Sequence, residues 1–293
     1  MSVGFLISTF LIYGVITIAL KVKRTVTVFV ILVAIEQDQL FGAFEHYPSD
    51  PASVASGYLL VNTQSNPIGI LSDPASVMLF EKINFGVVWG EKFSLKALSH
   101  HSAVAAGAFH HWNISVGESV FGDQLYRETI LGIVTGKRIK KKWMLGASIM
   151  VYDLKIKEYG HDNSIGFNLG WRASLDDNIN WFGSLRNINA PTISRSKEPL
   201  PQVISSGILY DPSKKLKLIL EWEKETLNDS RIKFGGQFML MPWIDVCIGH
   251  VTSPNQLTLG LNIDYKTITI NYAFSTHNYL DISHYMGVGF SLR

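Results

Sequence analysis

The chain has 293 residues, 47% of them apolar and 12% aromatic, with 17% charged, one cysteine and a formal net charge of +2. A single cysteine, Cys247, excludes an intrachain disulfide framework and any cysteine-based metal set. Lys21, Lys23 and Arg24 precede every acidic residue, and beyond them 23 basic residues face 24 acidic ones, a balance that makes no case for nucleic acid.

In chain order, residues 1–34 read as a signal or targeting region. Lys21, Lys23 and Arg24 form a basic start, 26–33 an apolar stretch, and Ala34 stands before the first acidic residue, Glu36, which predicts cleavage near Ala34. The uncharged apolar residues 1–20 ahead of it read either as an over-extended start or as part of one long signal anchor. Residues 35–80 carry Pro48, Pro51, Pro67 and Pro74 without a clean period, and read as a periplasmic segment that caps or plugs a lumen.

Residues 81–293 alternate. In 215–224, Leu216, Leu218, Leu220 and Trp222 fall on one face, and Lys217, Glu221 and Glu223 on the other with Ile219 as the exception; 231–240, 258–265, 267–275 and 285–292 repeat the pattern. Fourteen candidate strands follow, at 82–90, 101–108, 112–119, 128–137, 143–154, 164–174, 179–187, 202–210, 215–224, 231–240, 244–250, 256–264, 267–275 and 283–292. One greasy and one small or polar face, repeated with no intervening helix, predicts an all-β fold: a transmembrane antiparallel β-barrel of about 14 strands, in contact with outer-membrane lipid. No apolar run beyond Ala34 reaches the roughly 18 residues of a spanning helix, and a membrane protein without helices must close its sheet. Connections alternate between short turns, such as 109–111 and 139–142, and longer ones, such as 91–100 and 187–202. All seven tryptophans lie between Trp89 and Trp243, as expected of side chains at a lipid boundary.

Chemistry-bearing residues point away from an enzyme. His161 and Ser164 are three apart, so on one strand they face opposite sides. His100-His101 and His110-His111 are adjacent pairs, which a strand also splits. No catalytic, cofactor or metal site is expected. Lys217, Glu221, Glu223, Arg231, Lys233 and Arg172 are expected to face the lumen, with Glu223 pairing to Arg231 or Lys233. Together with Asn168, Asn262, Asp264, Thr269 and Asn271 they predict a polar lumen, in which Arg at Asn262 or Thr269 is tolerated better than Arg at Leu218 or Ile263. The run Lys137-Arg138-Ile139-Lys140-Lys141-Lys142 reads as a solvated turn.

Several short elements resemble the PorV/PorQ-like outer-membrane proteins, relatives of the FadL-type transporters of hydrophobic compounds. They are Ser65-Asn66-Pro67-Ile68-Gly69-Ile70, Leu185-Arg186-Asn187-Ile188-Asn189, Leu200-Pro201, and Asn271-Tyr272-Ala273-Phe274 followed by Ser283-His284 and Gly287 to Phe290. The resemblance implies a fourteen-stranded barrel in the outer membrane, with Asn66, Pro67 and Gly69 carrying a plug motif. It also implies a non-enzymatic role with secretion-system proteins in type IX-like export. The alternative it leaves is FadL-like passage of a hydrophobic ligand. The loop 187–202, with Pro191, Pro199, Pro201, Arg195 and Lys197, is expected to be an exposed docking surface.

Overall fold

A computed structural model describes residues 43–45, 49–60, 66–110, 112–140, 142–194, 197–226 and 228–292. The signal region therefore lies outside the described residues, as do Ser65, His111, Lys141 and Arg195. The strands are β1 (Asn84–Glu91), β2 (Ser99–Phe109), β3 (Trp112–Gly122), β4 (Tyr126–Ile139), β5 (Trp143–Ile156), β6 (Gly160–Asp176), β7 (Ile179–Arg186), β8 (Thr192–Ile193), β9 (Glu198–Pro199), β10 (Val203–Ser213), β11 (Leu216–Glu225), β12 (Arg231–Met241), β13 (Ile244–Thr252), β14 (Asn255–Tyr265), β15 (Ile268–Ser275) and β16 (Ser283–Ser291). All but β8 and β9 form one closed antiparallel barrel in which neighbours in sequence are neighbours in space, and β16 returns to pair with β1. That gives fourteen barrel strands, each matching one of the alternating segments, and the turn at 109–111 is real, since Phe109 pairs with Trp112.

Alternation translates directly into faces. Leu218, Leu220 and Trp222 on β11 point outward and are exposed, while Ile219, Glu221 and Glu223 point inward and are buried. The same outward belt runs through Ile232, Phe234 and Phe238 on β12 and Met286, Val288 and Phe290 on β16. A belt this apolar is stable only against an apolar solvent. Among the described residues no helix is long and apolar enough to cross a membrane.

The lumen, expected to be polar and capped or plugged by 35–80, holds the described residues of 43–80. Helix α1 (Pro51–Ala55) and two 3-10 turns (Pro67–Leu71 and Pro74–Leu79) are buried against the inward faces of the strands. Each begins the same way: Asp50, Asn66 and Asp73 accept hydrogen bonds from backbone N–H groups of Ala52, Ile68 and Ala75, and a proline follows. An Asx cap followed by proline satisfies the unpaired N–H groups of a first turn and presets its φ. Ile68, Ile70, Leu71 and Val77 then pack on Val104, Ile130, Val134 and Met150 of the wall. The core of the molecule is this interface between the inner segment and the barrel. It also accounts for Ile219, the apolar exception on the inner face of β11, which packs with Leu59, Leu60 and Phe182.

Small residues on the inner face are sockets for the inner segment rather than lining for water. A Cβ placed on Gly146 would lie 2.2 Å from the Pro74 carbonyl oxygen, and one on Gly249 would lie 2.1 Å from the Gly57 nitrogen. Asn262, read above as an open lumenal position, is 1% exposed and bonds to Asn271 and Cys247. An arginine there has no room, so the expectation that it is tolerated is corrected.

Candidate functional site: a clamped plug and its vestibule

On β11 the carboxylates Glu221, Glu223 and Glu225 share the inward face at two-residue spacing. Antiparallel register sets Glu221 opposite Lys233 and Glu223 opposite Arg231. Lys233 Nζ lies 3.0 Å from Glu221 Oε1 and 2.7 Å from Glu223 Oε2; Arg231 lies 2.8 Å from Glu223 and 3.2 Å from Glu225. Arg186, from β7, reaches Glu223 at 3.7 Å. Three acids and three bases thus cancel in a buried ladder. The alternation exposes four of the six in the sequence. Glu225 was legible by the same rule, two residues beyond Glu223, and Arg186 by its inward parity on β7.

The ladder holds the inner segment. Glu221 Oε2 accepts a hydrogen bond from the Leu60 N–H at 2.7 Å, and Lys233 Nζ donates one to the Tyr58 carbonyl at 2.9 Å. A second fastening lies on β6, where Arg172 donates from Nε and Nη2 to Asp73 Oδ2 at 2.9 and 2.6 Å. Desolvation pushes the Asp73 carboxyl above its ordinary range, opposed by the Arg172 charge. Lys217 faces inward but stands apart from the ladder, opposite Gln237. Of the motif residues, Asn66 caps the first 3-10 turn, Pro67 opens it and Gly69 lies within it, all three buried.

Above the inner segment, at the long-loop end, sits a vestibule of about 470 Å³. Leu59, Leu60, Val203, Val251 and Tyr285 line it together with the ladder residues Arg186, Glu223, Glu225, Arg231 and Lys233. Tyr58 and Tyr285 face each other there, with their hydroxyls 3.0 Å apart. Lys92, on the turn after β1, also lines it, and burial lowers its ammonium below the usual lysine range.

The loop 187–202 closes part of this mouth instead of standing free. Ile193 and Leu200 are 1% and 2% exposed and join the core around Phe44 and Tyr152. Asn187 fixes its base, accepting from the Tyr152 hydroxyl at 2.8 Å and donating to the Pro201 carbonyl at 2.7 Å. Seven of its fourteen described residues are exposed: Ile188, Asn189, Ala190, Thr192, Lys197, Glu198 and Pro199. The described part of the loop thus anchors itself through Ile193 and Leu200 and turns its other face to solvent.

Strand geometry separates the histidine combinations as expected. His161 pairs with Asp153 at 2.8 Å on the outer side, while Ser164 has the opposite parity. His100 is buried and points inward, and His101 is exposed on the outer wall.

No protein-family model matches the chain, and no curated protein matches it. Solved structures do. The Pseudomonas putida toluene transporter TodX matches with a TM-score of 0.60 at 10% identity, over 85% of this chain and 98% of that one. The Ralstonia pickettii toluene transporter TbuX matches with a TM-score of 0.59 at 10% identity, over 84% and 99%. A Pseudomonas aeruginosa FadL homologue gives a TM-score of 0.62 at 8% identity, over 85% and 99%. At these identities the likeness is one of fold, and it is the FadL-type barrel that is shared.

Proposed function

We propose that the chain is an outer-membrane passage protein for apolar small molecules, held closed at rest by the inner segment around Pro51–Ala55, Pro67–Leu71 and Pro74–Leu79. The observation that carries this reading is the vestibule, which opens directly onto the clamped segment and joins apolar residues to a buried ionic ladder. A ligand that settles on Leu59 and Leu60 sits where the Glu221–Leu60 and Lys233–Tyr58 hydrogen bonds hold the segment in place. Occupancy of the vestibule is in this way coupled to the clamp. The outward apolar belt supports a membrane location, and the fold shared with two toluene transporters and a FadL homologue supports the class of cargo.

A role in protein secretion, implied by the PorV and PorQ resemblance, has less support. Its main surface was the loop 187–202, whose apolar residues Ile193 and Leu200 are turned inward. The test is displacement of a fluorescent apolar probe from purified protein by monoaromatic and alkyl compounds. Leu60→Ser should weaken probe binding roughly tenfold, about 1.4 kcal/mol, while heat-modifiability is retained. Failure of every apolar compound to displace the probe, with the barrel intact, would remove the reading.

A further inference from the structure

The outer wall carries an anomaly at mid-height on β3. Glu118 faces outward among Val116 and Val120 of its own strand and Ala103 and Leu131 across from it. It is exposed, and no hydrogen bond or ion pair joins it to another described residue of the chain. An ionisable side chain facing hydrocarbon is costly unless something pairs with it. One strand over, His101 is also exposed and outward, two residues beyond Ala103 toward the long-loop end.

The register fixes how these two side chains sit relative to the membrane plane. The row of cross-strand partners Val87, Ala103, Glu118, Leu131, Val151 and Ile165 stands three residues above the short-turn end of its strand at Val87 and eleven above it at Ile165. Strands tilted by about 40° and rising about 3.4 Å per residue, about 4.8 Å apart, then lean back toward β1. The step from Glu118 to His101 comes out nearly horizontal: roughly 8 Å around the wall and about 2 Å in height. Between them lies Ala103, the smallest outward side chain of the neighbourhood.

We infer that this wall is the interface for a second copy of the chain, related by a two-fold axis along the membrane normal that passes beside Ala103. Such an axis exchanges the two positions, setting His101 on the partner's Glu118 and Glu118 on the partner's His101. That is the self-complementarity an isologous contact demands. Shape agrees with charge. A concavity of about 540 Å³ extends from Glu118 and Ala103, beside the axis, past His101 to Trp89 and Met286 on the β1 side. On the other side the exposed Leu131 and Ile133 of β4 form a ridge. The two-fold rotation carries the ridge of one copy into the concavity of the other.

The inference rests on the reading of the outer face as membrane-facing, and heat-modifiability tests that separately. Two differently tagged full-length chains, one His101→Cys and the other Glu118→Cys, are expressed together and oxidised in isolated membranes. A mixed-tag disulfide dimer is expected, as is self-linking of Ala103→Cys; Leu220→Cys, on the far wall, should not link. In lipid discs the native chain should have dimer mass, Glu118→Gln should shift the equilibrium toward monomer roughly tenfold, and the exchange His101→Glu with Glu118→His should restore it. A monomer of intact, heat-modifiable barrel overturns the proposal. So does a dimer that links equally well through Leu220, survives Glu118→Gln unchanged or is not restored by the exchange, and so does occupation of this wall by a barrel of different sequence.

Discussion

Lys233 holds together two glutamates and a backbone carbonyl, and no other single side chain shows so plainly what the buried ladder is for. Its ammonium bonds Glu221, Glu223 and the Tyr58 carbonyl within 3.0 Å. Replacing it with methionine keeps the volume but leaves the buried Glu221 carboxylate without its ion-pair partner, while Glu223 keeps Arg231 and Arg186; the stranded charge should cost about 3–5 kcal/mol. Urea unfolding followed by tryptophan fluorescence would measure the loss. Because the same change frees Tyr58, protease should cut the inner segment faster in Lys233→Met than in the native protein; equal rates would mean that the ladder stiffens the wall alone. On the outer face, Leu218→Arg puts charge into hydrocarbon at a cost of about 2–4 kcal/mol near the midplane. Asn262→Arg should be no milder despite its inward position, since Asn262 is closed in by Asn271 and Cys247. Parity alone places both residues on their faces; the filled lumen is what parity does not reveal.

At the scale of elements, the strands were legible because each must present one apolar and one small or polar side, a period-two constraint that every barrel strand repeats. The inner segment was harder to read. Its pieces are a five-residue helix and two 3-10 turns, too short for any period to develop. Its signal was nonetheless present as Asp50-Pro51, Asn66-Pro67 and Asp73-Pro74, three Asx caps each followed by a first-turn proline. Read as turn punctuation, these prolines suggest irregularity; read as helix starts, they mark where the segment docks. The glycines of the wall misled in the same way, since a glycine facing a polar lumen and a glycine serving as a socket look alike in sequence. Gly146→Leu separates the two meanings. Its side chain would occupy the place of the Pro74 carbonyl, so the segment should be unseated from an otherwise assembled barrel and ion conductance in planar bilayers should rise. Unchanged conductance would show that the segment seals the lumen without this socket.

For the molecule as a whole, closure joins β16 to β1 and leaves the barrel no free edge. The protein should therefore run as a heat-modifiable band from outer-membrane fractions. The fold was readable because closure, strand number and turn alternation all follow from one pattern. The function was less readable, because passage and docking both use a barrel with long loops, and only the placement of Leu60, Ile193 and Leu200 tips the balance. On the proposed function, an apolar compound moves through a barrel that is closed to ions. The most direct measurement is uptake of a labelled monoaromatic or alkyl compound by cells whose outer membrane gains only this chain. Saturable uptake above that of cells lacking it, with no matching gain for a small sugar, is the predicted result. Equal uptake with and without the chain, or a gain for the sugar as large as for the apolar compound, would contradict it.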